Sequence, residues 1–190
     1  MSAEIWNEIE QLLEKISIWF TDPSKLACFL VMDPRGSISV SSALRYWGCT
    51  IQAGVQICGA FGYAEDPSEM YQGVAEKFLP LSFSSLPFLP TDSSADWGRT
   101  LNSLNQNTKG LLMNTSKVYP SVNFDSAQKS VTLFMPGFDK SEIKLYQYRG
   151  GSELLIEAGD QRRVIKLPPA MQGKVGGAKF VDRNLVVTIR

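Results

Sequence analysis

The strongest constraint on how this chain folds lies in residues 131–190, where apolar side chains recur at every second position in short bursts. Val131, Leu133 and Met135 fall on one face, with Thr132 and Phe134 on the other. The pattern returns in Ile143, Leu145 and Tyr148, in Leu154 and Ile156, in Val164, Ile165 and Leu167, and in Leu185, Val187 and Ile189. Pro136-Gly137, Gly150-Gly151, Gly159-Asp160 and Pro168-Pro169 separate the bursts. A two-residue period interrupted by turn residues predicts antiparallel strands with one buried face, packed as a sandwich.

The first half has a different grammar. Ser2 to Phe20 follows a helical period: Ile5, Ile9, Leu12, Leu13, Ile16 and Phe20 lie opposite Glu4, Asn7, Glu10, Glu14 and Lys15. It reads as an amphipathic helix packed on a sheet rather than on a membrane surface, which would call for more Lys and Arg, and it is capped by Ser2 and ended by Thr21-Asp22-Pro23. Leu26–Met32 and Val55–Phe61 are continuous apolar runs, as in buried parallel strands. Between them a helix capped by Ser37 or Ser39 runs to about Ala53, where Gly54 ends it. Asp66 and Pro67 open a third helix to Phe78, and Leu79–Leu86 forms a short third strand. Such alternation predicts a parallel sheet with crossover helices. The pattern then decays into a connector with one short helix holding Trp97, Leu101 and Leu104. The expected organisation is an α/β portion over 1–90, a linker over 91–118 and an all-β sandwich over 119–190.

Several function classes are excluded on chemical grounds. Lys+Arg 19 balances Asp+Glu 19, and no basic run is dense enough to favour nucleic acid. Histidine is absent, which removes Ser-His and Cys-His nucleophile pairs and most zinc or iron sites. Cys28, Cys49 and Cys58 form no CxxC pair and read as buried reduced thiols, their spacing giving no support to a thiol site for a soft metalloid. No apolar run approaches the ~20 residues of a membrane span, and the acidic start is not a signal peptide. The sandwich acids Asp139, Glu142, Glu153, Glu157 and Asp160 are spaced as solvent-facing strand and turn residues. No catalytic group and no metal ligand set is expected.

Met135-Pro136-Gly137-Phe138, followed by Ser141 to Lys144, resembles the Pro-Gly-Phe turn of small heat-shock proteins. Arg163, Leu167 and Pro168 resemble that domain's arginine-to-proline run, and Ala178, Leu185 and Val187 its closing motif. Arg183 stands where the closing hairpin has a glycine, in a turn that wants positive φ. The stretches Arg162–Pro169 and Gly173–Phe180 are more similar to the HSP20-like domain of ArsA-type ATPases, the arsenite-pump and tail-anchored-protein-targeting family. Upstream, Phe29–Pro34, Ser39-Val40, Ala43–Arg45, Trp47-Gly48 and the strand through Pro87 resemble the end of such an ATPase domain.

The resemblance implies a partial P-loop-ATPase-like parallel sheet followed by an HSP20-like sandwich, with the P-loop half missing. No GxxxxGK[ST] occurs in the 190 residues, so no cofactor is expected on the chain's own, and ATP only with a P-loop partner. The resemblance places Gly62, Tyr63, Ser85 and Pro87 on the adenine side of the family's pocket, although the family's asparagine is not evident in Phe61–Ala64. The implied function is a non-catalytic interaction or scaffold protein whose HSP20-like domain binds a partner or client. The alternative is half of a split or truncated ATPase. The expected partner is a protein, or a second copy met through the α/β sheet edge. The expected location is the cytoplasm, or the plastid stroma in a eukaryote.

Overall fold

The computed structural model describes residues 3–63, 72–88, 96–113 and 119–190. Contacts divide the chain into two compact units. One comprises Met1–Pro34 and Gly54–Val118, the other Arg35–Ala53 and Tyr119–Arg190.

In the first unit, helix α1 (Ala3–Thr21) leads through a turn to strand β1 (Cys28–Met32). Asp22 builds that turn: its carboxylate accepts from the Ser24 amide at 2.9 Å and the Ser24 hydroxyl at 2.7 Å. These bonds, helped by Lys25, hold the Asp22 pKa at about 2. Strands β2 (Ile57–Tyr63) and β3 (Phe83–Leu86) complete a parallel sheet of order β1-β2-β3. The expected parallel sheet is therefore present. Strand β2 is buried from Ile57 to Gly62, as its unbroken apolar run requires, and Phe29 tilts against Phe61 at 5.4 Å between ring centroids.

Two expectations fail in this unit. No α1 side chain from Glu4 to Phe20 is buried, so the helix is not packed on the sheet. A helical period reports that one face is apolar and carries no information about what covers it. The third strand also begins later than expected, at Phe83, because Phe78 to Leu81 forms a turn in which Leu81 N–H donates to the Phe78 carbonyl at 2.8 Å. Helix α3 is described over Gln72–Lys77; the expected cap Asp66 and Pro67 lie outside the described residues.

The polar stretch read as a linker holds two further helices, α4 (Trp97–Ser103) and α5 (Gln106–Met113). Asp96 caps the first by accepting from the Arg99 amide at 3.1 Å. Asn105 caps the second, accepting from the Thr108 amide at 2.7 Å, and α5 packs against β3.

The second unit is a sandwich with a helix. Its larger sheet has the order β4-β5-β10-β9: β4 (Val122–Asp125), β5 (Ser130–Phe134), β9 (Val175–Val181) and β10 (Asn184–Ile189). The smaller sheet is β6 (Ile143–Tyr148), β7 (Glu153–Ala158) and β8 (Gln161–Lys166) in sequence order. Every pairing is antiparallel. Val131, Leu133, Leu154, Ile156, Leu185 and Val187 meet in the core, each at most 5% exposed. Burying such a side chain stabilises by about 1.5–3 kcal/mol.

The alternation expected in this region holds, with two side chains reassigned. Val164 and Tyr148, read with the buried set, point outward, because Ile165 and Leu145 occupy the inward register of their strands. The closing hairpin is a primed turn with Asp182 at φ 48° and Arg183 at φ 65°. Arg183 thus occupies the left-handed region that a glycine would fill without strain. Its guanidinium lies 5.5 Å from the Phe134 ring, and Asn184 closes the turn by donating to the Asp182 carbonyl at 2.8 Å.

Helix α2 (Ser37–Gln52) was expected to belong with the parallel sheet; its residues group instead with the sandwich. Its N-cap is Gly36 with no side-chain bond, not Ser37 or Ser39, which lie inside the first turn.

Candidate functional site

The four residues expected beside a nucleotide converge in the structure. Gly62 is the direct register partner of Ser85, and Tyr63 that of Leu86, at the carboxyl ends of β2 and β3. Ligands of open parallel sheets bind at that end. Pro87 follows β3 directly, and the Tyr63 ring meets Phe88 edge to face at 4.3 Å.

Ser85 is held by α5. Thr108, fully buried, donates its hydroxyl proton to the Ser85 carbonyl at 2.8 Å. A threonine has one such proton, so the 2.8 Å contact between Ser84 Oγ and Thr108 Oγ1 must have Ser84 as donor. Asn105 Nδ2 completes the set by donating to Ser85 Oγ at 3.3 Å. These bonds fasten the start of α5 to the last strand and leave the Ser85 hydroxyl and carbonyl engaged. Beside them a half-open cavity of about 430 Å³ is lined by Cys58, Ser84, Gln106, Asn107 and Leu111, among others. Asn105 and Thr108 were not among the expected site residues; an asparagine three positions before a threonine at a helix start was the available signal.

Among the described residues no group of three or more His, Cys, Asp or Glu could hold a metal. Cys28, Cys49 and Cys58 form no disulfide; Cys58 is buried as expected, whereas Cys28 and Cys49 are only partly so. Burial, with a smaller contribution from nearby Cys58, pushes the Cys28 thiol up, away from the reactive thiolate.

In the second unit, α2 is clamped onto the turn Pro136-Gly137-Phe138. Arg45 grips Glu142 with both guanidinium arms, at 2.9 and 2.7 Å, and donates to the Gly137 carbonyl at 3.2 Å. Its guanidinium carbon lies 4.3 Å from the Phe138 ring. The hydrogen bonds from Arg45, and then from the Asp139 amide, lower the Glu142 pKa; the same pair raises that of Arg45. Two glycines permit the approach. Gly137 sits at φ +72°, where a Cβ would strike the Leu44 backbone, and a Cβ on Gly48 would strike the Pro136 carbonyl and the Phe138 ring. Trp47 adds an edge contact to Phe134 at 5.1 Å.

The outer face of the smaller sheet carries an apolar row. Tyr146, Leu155 and Val164 are register partners across all three strands, with Tyr146 42% and Val164 53% exposed. On one side lies the Glu157–Arg162 ion pair at 2.9 Å, and on the other Arg149–Glu153 at 3.2 Å. An apolar strip between charges is the usual make-up of a protein-binding patch. Arg163 does not contribute: it turns inward, donates to Ser121 Oγ at 3.1 Å, and burial lowers its pKa.

Two stacked antiparallel sheets tied by a Pro-Gly-Phe turn define a β-sandwich of the HSP20 kind. Residues 126–189 match the HSP20-like domain found in ArsA, so the sandwich is an ArsA-associated HSP20-like domain. The match covers about a third of the chain and does not reach the parallel sheet. No curated protein matches the chain.

Proposed function

We propose that the chain is a non-catalytic interaction protein related to ArsA-type ATPases, and that its HSP20-like sandwich binds a protein partner or client. The observation carrying this reading is the in-register row Tyr146, Leu155 and Val164, presented between ion pairs on the outer sheet face. The parallel sheet supplies a second attachment. Among the described residues its edge strand β1 pairs only with β2, and Val31 on it is 58% exposed, which suits strand addition by a protein or by another copy. Three cysteines that form no disulfide fit a reducing compartment, the cytoplasm or, in a eukaryote, the plastid stroma.

The test is suppression of aggregation of a heat-destabilised client. The wild-type chain should suppress it, and Tyr146→Lys with Val164→Lys should abolish the effect while leaving the thermal midpoint within about 1 °C. An unchanged effect in the double variant would remove the row from the account.

The second reading, half of a split ATPase, draws on the meeting of Gly62 with Ser85 and of Tyr63 with Phe88 at the strand ends. Without a glycine-rich phosphate loop and its lysine, phosphoryl transfer lacks its main electrostatic stabilisation, so the purified chain should not hydrolyse ATP. Both readings expect that; phosphate release that appears only when a separate P-loop half is added to the chain would favour the second reading over the first.

A further inference from the structure

Helix α1 carries more uncovered apolar surface than any other element described. Leu12 is 57% exposed, Leu13 60% and Trp19 60%, with Trp6 and Phe20 above half. A solvated helix of this length is marginal by itself, and one with an apolar face is ordinarily stabilised by packing. Its pattern is also narrower than a general amphipathic period. Ile5, Ile9, Leu12, Ile16 and Trp19 follow intervals of four, three, four and three, the spacing of a coiled-coil seam. Trp6, Leu13 and Phe20 widen one flank of that seam, and Glu8 and Lys15 occupy the other.

We infer that α1 pairs with α1 of a second copy, antiparallel, through this seam. The flanks select both partner and direction. In the antiparallel register that sets Ile5 against Ile16 and Ile9 against Leu12, Glu8 of each copy faces Lys15 of the other. The opposite flank then sets Trp6 against Leu13. Like meets like on the apolar side and opposite charges meet on the polar side, each twice, because a two-fold axis repeats every contact. Sliding one helix by a heptad sets Glu8 against Glu8 or Lys15 against Lys15, and a parallel pair sets Glu8 beside Leu13 and Lys15 beside Phe20. Those arrangements lose the complementarity.

A lipid surface fits less well. The helix carries Glu4, Glu8, Glu10 and Glu14 against the single Lys15, a balance that anionic headgroups repel. The scale suits a modest dimer: the helix is ~28 Å long, and six large apolar side chains per copy supply roughly the 1,000 Å² that a specific contact needs. The inference is independent of the sandwich's partner and of the β1 edge, since neither contributes a residue to the seam.

Sedimentation of the full chain across a roughly hundredfold concentration range is the test. The wild type should shift from monomer to dimer. Glu8→Lys and Lys15→Glu should each weaken the dimer about tenfold, because each replaces two attractive contacts with two repulsive ones. The double variant carrying both changes should return to the wild-type constant, and Ile9→Asp should abolish the dimer. Circular dichroism of each variant checks that the sandwich and the helix persist. A wild type that stays monomeric throughout overturns the inference and leaves the face to a different partner. A dimer indifferent to the charge swaps, or a double variant no better than the singles, also overturns it by showing that the copies meet elsewhere or in another register.

Discussion

The two units solve the same burial problem with different completeness. In the sandwich, the inward apolar residues of β5, β7 and β10 share one buried core between the two sheets. In the parallel unit the central strand β2 is buried, but among the described residues β1 has no strand on its far side, and the α1 side chains from Glu4 to Phe20 are exposed. An antiparallel sandwich can close using strands adjacent in sequence. A parallel sheet needs crossover connections, and its edge strands keep unpaired backbone groups unless another element covers them. The difference is one of enclosure: the sandwich holds its own core, whereas the described parallel unit leaves an edge of β1 and the apolar face of α1 exposed.

The comparison can be broken hardest at Gly137. Gly137→Val places a β-branched side chain at φ +72° and drives its Cβ into the Leu44 backbone. The sandwich should lose its cooperative thermal transition, a cost above about 4 kcal/mol. A transition retained at the wild-type midpoint would mean that the turn is not the joint described here.

Gly48→Ala separates docking from backbone strain, because Gly48 lies inside a helix where alanine is intrinsically better by about 1 kcal/mol. The Cβ nonetheless meets the Pro136 carbonyl and the Phe138 ring. Net destabilisation of about 2 kcal/mol is expected from chemical denaturation, opposite in sign to the propensity gain. Stabilisation would show that α2 does not dock on the turn.

The Arg45–Glu142 pair gives a smaller, pH-dependent effect. Both side chains are about a third exposed, so solvent screens the pair and Glu142→Gln should cost about 1 kcal/mol at neutral pH. The folded Glu142 pKa lies below its unfolded value, so this contribution is complete above the ordinary glutamate range. It is lost as pH falls through the lowered folded value. Thermal midpoints of wild type and variant, measured from neutral to acid, should differ at neutral pH and converge in acid.

Smallest and opposite in sign is Arg183→Gly. Relief of the positive φ at 65° is worth about 1 kcal/mol, offset in part by losing the contact with the Phe134 ring. A gain in thermal midpoint of a few degrees is expected.

What the sequence made legible follows the same division. The sandwich strands were readable because alternation and turn residues are local, and Gly137 announced itself beside Pro136. The parallel sheet was readable from the unbroken runs of β1 and β2. The place of α2 was not: its contacts with Glu142, Pro136 and Phe138 lie far along the chain, and an amphipathic helix between two parallel strands reads as a crossover whichever surface it meets. Val164 and Tyr148 were misplaced because one step of register reverses every side chain. At the candidate site, Gly62 and Ser85 could be named from resemblance, but their pairing depends on strand register. The hydrogen bonds from Thr108 and Asn105 come from a stretch whose polar composition reads as connector.

Amide hydrogen exchange of the chain tests the division between an enclosed unit and an open-edged one most directly. Amides of β5, β7 and β10 should exchange only with unfolding of the sandwich, and those of α2 should share that protection, since the helix belongs to the same unit. Amides of β1 that do not bond to β2 should exchange far faster, at the rate of local opening. Uniform protection of β1 matching that of β7, or an α2 that exchanges independently of the sandwich, would contradict the account.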